Sequence, residues 1–119
     1  MNKQRITAIK TELDNLRAVK RSLRSNPPTR QELEDALAKS KAQIVKVHDA
    51  EQDAYEKMSE KQQCSTQGEI AEDCIALLED VIDYIDELLV EIGAEGALEL
   101  EEVGYGMDDV IDLLNDLCS

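Results

Sequence analysis

The sequence predicts an all-α fold: a small bundle of three main helices, the second of them long, followed by one or two short C-terminal helices. Three observations predict it. Apolar residues recur at helical three-four spacing along most of the chain, two Thr-x-x-Glu boxes stand where helices would begin, and no run alternates with the period of two that a half-buried strand requires. The 119 residues read as one domain, long enough to bury a core without metal or disulfide staples. With no Trp or Phe and only Tyr55, Tyr84 and Tyr105, that core is aliphatic.

The first element runs from Lys3 to about Ser25, where Ile6, Ile9, Leu13, Leu16 and Leu23 form a stripe interrupted only by Lys20. Lys3, Lys10, Arg17 and Arg24 fall at steps of seven and line one border of it, with Arg21 on the outer face. Asn26-Pro27-Pro28 stops the helix, because proline cannot donate an intrahelical bond and restricts the residue before it. Thr29 to Glu32 is a capping box that opens the second helix, with core positions Leu33, Leu37, Ser40, Ile44, Val47, Glu51, Ala54 and Met58. Run to Lys61 it would span about 50 Å. The small or polar residues at Ser40, Glu51 and Ala54 predict thin packing or partial exposure over its second half.

Cys64 to Gly68 is the next break, and Thr66 to Glu69 supplies a second capping box. The third helix has the cleanest heptads: Ala71, Cys74, Leu78, Val81, Ile85, Leu88 and Ile92, flanked by Ile75, Ile82 and Leu89 on one side and Leu77 and Tyr84 on the other. So wide a stripe touches two or more neighbours. Gly93 and Gly96 end this helix. Beyond them the expectation is a short helix over Ala97 to Val103, a hinge at Gly104-Tyr105-Gly106, and a last helix from Asp108 to Leu117 that buries Met107, Val110 or Ile111, Leu114 and Leu117.

Charge divides the chain in two. The net charge is −14, yet residues 1 to 61 hold all 13 bases and residues 62 to 119 hold 17 acids and no base. That balance argues against nonspecific binding to nucleic acid or an anionic membrane. The N-terminal MNKQRITAIK lacks a signal-peptide core, no stretch approaches the length of a membrane span, and the odd cysteine count (Cys64, Cys74, Cys118) fits a reducing compartment, so the expected location is cytoplasmic.

On the third helix Glu72, Asp73, Glu79, Asp80, Asp83, Asp86 and Glu87 fall opposite the heptad seam, on a face about 22 Å long. Like charges at i, i+3 and i, i+4 each cost a few tenths of a kcal/mol, and no lysine relieves them. One use for such a face is solubility alone. Another is docking onto a basic protein, including one that normally holds a nucleic-acid backbone, since DNA carries about one charge per 1.7 Å. Metal binding fits poorly, because the acids do not follow the order of a calcium loop and a regular helix does not wrap an ion. Carboxylate catalysis fits poorly too, with no Glu-x-x-His pair: His48, the one histidine, has Val45 three residues before it and reads as a packing or partly exposed side chain. No cofactor, metal or catalytic residue is expected.

The expected function is therefore non-catalytic: an inhibitor or adaptor that occupies a basic surface of a partner, one form being a phage or mobile-element nucleic-acid mimic that blocks a host enzyme. The seven carboxylates and Tyr105 are the candidate contacts. The competing class is a structural or oligomerisation module, with a homodimer formed on the long second helix. What separates them is whether the bases of the first helix cover the acidic face.

Overall fold

The computed structural model describes residues 1–118. They form α1 (Lys3–Ser25), α2 (Arg30–Glu56), a single turn α3 (Glu60–Gln63), α4 (Thr66–Gly93) and α5 (Leu100–Cys118), with no strand among the described residues. The long helices close a ring in which α1 packs on α2, α2 on α4, α4 on α5 and α5 back on α1. Short connections make sequence neighbours antiparallel, the up-down arrangement of a four-helix bundle. The molecule measures 52 × 24 × 18 Å.

The apolar stripes of all four long helices meet on the bundle axis. Ile9 and Leu16 of α1, Leu33, Leu37 and Ile44 of α2, Leu78, Ile85 and Ile92 of α4, and Met107 and Leu114 of α5 are fully buried. In α4 the expected seam is buried at Ala71, Leu78, Val81, Ile85, Leu88 and Ile92, and only Cys74 gives up its inward position, to Ile75.

Three boundaries differ from the sequence expectation. α2 stops at Glu56 instead of running to Lys61, because Ser59 turns extended and makes its own capping box with Gln62, starting α3. α4 is capped by Ser65 and not by Thr66: the Ser65 hydroxyl accepts from the Gly68 amide and Thr66 is already helical. The expected short helix, hinge and last helix are one continuous α5 beginning at Leu100, with Gly104 and Gly106 inside it. The absent side chain at Gly106 has a packing use, since a Cβ there would lie 2.4 Å from Leu88 Cδ2.

The α3–α4 corner depends on Gly68. A Cβ at that position would lie 2.0 Å from the Gln63 carbonyl oxygen and 2.6 Å from that of Gln62. Both obstacles are backbone, so they cannot rotate away. Gly68→Ala is expected to destabilise the protein by about 2 kcal/mol despite alanine's better helix propensity, and a urea melt checks it.

Ser40 and Glu51, expected to mark thin or exposed packing, are buried and partnered. Ser40 donates to Glu12 Oε1 at 3.0 Å, and Arg5 Nη1 donates to Glu51 Oε1 at 2.9 Å, both across the α1–α2 seam. Among the described residues every buried side-chain nitrogen or oxygen has a hydrogen-bond partner. The C-terminus of α4 has no base of its own, and Arg30 from the first turn of α2 supplies one. Its guanidinium donates to the carbonyls of Ile92 (2.7 Å), Ala94 (2.6 Å) and Gly96 (2.7 Å), closing a turn in which Gly96 holds a φ of 109°.

Candidate functional site

The seven carboxylates of α4 do not share one face; they divide between two. Glu72, Glu79 and Asp86, seven residues apart, turn toward α2 and meet Tyr55, His48 and Lys41, which are also seven apart. Tyr55 donates its hydroxyl to Glu72, His48 Nε2 lies 3.1 Å from Glu79, and Lys41 Nζ lies 2.6 Å from Asp86. Residue numbers on each rung add to a constant because the helices are antiparallel. One heptad further along, Glu34 lies over Gly93 and continues the row. These three acids are therefore also rungs of an interhelical ladder, while Glu72 and Glu79 stay exposed and Asp86 half-buried.

Glu69 and Glu91 near the ends of α4 are exposed, and the other four of the seven, Asp73, Asp80, Asp83 and Glu87, also remain on the outside. All four are exposed, and no ion pair reaches any of them from the described residues. Beside them α5 presents Glu102, Asp109 and Asp112, also exposed, on a helix that likewise contains no base. The two helices pack directly on each other, so the acids form two adjacent rows.

The bases of α1 go elsewhere. Arg5 pairs with Glu51 of α2, Lys20 pairs with Asp108 of α5, and Arg17 Nη2 donates to Asn115 of α5 at 3.1 Å. Among the described residues no ion pair joins a base of α1 to α4.

Tyr105 is exposed as expected, but on a helix and not a hinge, with its hydroxyl donating to Glu101 at 3.0 Å. Tyr84, which the stripe placed at the edge of the core, is 41% exposed and stands among the outer acids, one turn from Asp80 and from Glu87. Val90, at 75% exposure, extends that strip toward the end of α4. The place of Tyr84 in the apolar stripe of the sequence hid its exposure.

His48 is half-buried, in keeping with a packing or partly exposed side chain. Its ring is mostly enclosed, and although burial opposes its charge, the hydrogen bonds it makes to Asp49 and Glu79 together with their charges raise its pKa above the ordinary 6.5. The three cysteines are free, with Cys64 exposed and the thiols of Cys74 and Cys118 pushed up in pKa by burial. Among the described residues no group of three or more His, Cys, Asp or Glu side chains is placed to hold a metal ion. No helix there is long and apolar enough to cross a membrane. No protein-family model, no curated protein and no solved structure matches the chain.

Proposed function

We propose that this chain is a non-catalytic inhibitor or adaptor that docks the outer face of α4 and α5 onto a basic surface of another macromolecule. The observation that carries this reading is the destination of the α1 bases that find partners: Arg5 goes to α2, Arg17 and Lys20 to α5, and among the described residues no ion pair reaches Asp73, Asp80, Asp83 or Glu87. A face built only to keep the protein soluble has no need to exclude every lysine, since interspersed charges stabilise helices and dissolve equally well. Tyr84 and Tyr105 supply aromatic anchors of the kind that dominate protein interfaces, while the acids steer the encounter.

Competition with a nucleic acid is the specific form we favour. The two helices pack directly on each other, so the outer acids of α4 and α5 offer a base-free negative surface of the kind that a phosphate-binding site accepts. The biological setting proposed is a phage or mobile-element protein acting on a host nucleic-acid enzyme. The test is the triple reversal Asp80→Lys, Asp83→Lys and Glu87→Lys. Its helical content and melting behaviour should match the wild type, because all three side chains are exposed and unpaired. Pull-down from lysate at about 0.1 M salt, where charges act over about 10 Å, should recover a basic protein with the wild type only. Association of that protein should slow at least tenfold with the reversal and be blocked by DNA or RNA. Unchanged binding by the reversal would end the proposal.

One observation favours self-association as the second reading. At the end of the bundle that α5 does not line, Met1, Ala54, Met58, Ile70 and Ala71 surround a cavity of about 240 Å³, and Ile70 is 50% exposed. Light scattering of Ile70→Lys beside wild type decides it.

A further inference from the structure

His48 occupies the middle rung of the α2–α4 ladder, with Nδ1 3.1 Å from Asp49 Oδ1 on its own helix and Nε2 3.1 Å from Glu79 Oε1 on α4. An ionised carboxylate only accepts hydrogen bonds, and a neutral imidazole has a single N–H. In the neutral form one of the two carboxylates must therefore face a nitrogen lone pair. The imidazolium donates to both.

The neighbouring rungs do not share this sensitivity. Neither contains an imidazole: Lys41 pairs with Asp86, and Tyr55, whose hydrogen bond to Glu72 raises its pKa, donates as a neutral phenol. Of the other bases in this half of α2, Lys57 pairs with Asp53 on its own helix, and no ion pair joins Lys46 to α4 among the described residues. On the opposite side of α2, Arg5–Glu51 is committed to the α1 seam. Beyond Lys41 toward the α3 corner, the α2 cation that pairs with α4 among the described residues is protonated His48.

We propose that His48 is a proton-operated clasp: charged, it ties the C-terminal half of α2 to α4; neutral, it lets Glu79 go, and the end of the bundle that holds α3 opens more readily. The raised folded pKa agrees with this assignment. A group whose pKa is higher folded than unfolded contributes fully below its unfolded value, about 6.5, and its contribution fades as pH rises through the folded value. The clasp therefore tightens on mild acidification and slackens above neutrality. It is independent of whether the outer acids bind a partner.

The chain has one histidine, so its Cε1–Hε1 signal in an NMR titration is unambiguous. At about 0.15 M salt, which screens the distant acids far more than the contacting ones, wild type should titrate above 6.5. Glu79→Gln should bring the midpoint down by several tenths of a pH unit, and Glu87→Gln, the same charge change away from the ring, should leave it within a tenth. Amide exchange, corrected for its intrinsic pH dependence, should show residues 49–72 losing protection several-fold between about pH 6 and about pH 8.5 while the α1–α5 core does not. His48→Gln should abolish that difference. A midpoint at or below 6.5, equal shifts from the two Glu→Gln variants, or the same exchange pattern in His48→Gln would each overturn the clasp.

Discussion

Replacing Arg5 with alanine is expected to cost about 3 kcal/mol of folding stability, more than removing Arg5 and Glu51 together. Glu51 is 3% exposed, and the Arg5 guanidinium is its ion-pair partner, at 2.9 Å. Alanine at position 5 would strand a carboxylate with little access to water, and restoring that access means loosening α2 where it packs on α1. The double variant Arg5→Leu with Glu51→Leu removes both charges and should fall within about 1 kcal/mol of the wild type, since apolar replacement of a buried pair is often neutral or stabilising. Urea denaturation gives the comparison directly through midpoints at a common slope. The informative result is the order: if the double variant is the less stable of the two, the pair is a net source of stability and not mainly a constraint on how α1 sits on α2.

Arg30→Ala is expected to lose about 2 kcal/mol, which for a domain of this size lowers the melting temperature by roughly 8 °C. Three carbonyls at the end of α4 accept from one guanidinium. They lie at the negative pole of a 28-residue helix that ends without a base in its last turn. Lysine at position 30 keeps the charge but not the planar fork, so Arg30→Lys should recover less than half of the loss. Circular dichroism melts of the three proteins check both numbers. Full recovery by lysine would mean that the charge alone matters there and that the hydrogen-bond geometry does not.

The first helix, the proline stop, the Thr29 box and the core face of α4 were legible in the sequence because each is decided within a few residues. What was not legible depended on neighbours. Gly104 and Gly106 read as a hinge by their own propensity, but Gly106 sits where α5 crosses Leu88 and the tertiary contact holds it helical. Ser65 and Thr66 offered two adjacent caps, and the crowding of Gly68 against the Gln63 carbonyl fits the earlier one. A helical wheel placed Glu72, Glu79 and Asp86 away from the core correctly, yet could not tell a border facing α2 from open solvent. Their match to Lys41, His48 and Tyr55 in steps of seven was present in the chain and becomes visible only once the antiparallel register is known. The candidate face was thus half legible: its charge and helix were, and its division into ladder and outer rows was not.

The way charge is shared between helices also affects how the molecule travels. Every base in the four long helices lies on α1 or α2, while α4 and α5 carry none, and the two pairs occupy opposite sides of a rod 52 Å long. The resulting dipole runs across the rod and not along it. Near a cationic surface it exerts a torque about the long axis, so a protein arriving in any rotation rolls until α4 and α5 lead. Rolling about the long axis is the fastest rotation such a shape has, so this bias acts on the motion most easily turned, within about 8 Å of the surface at physiological salt.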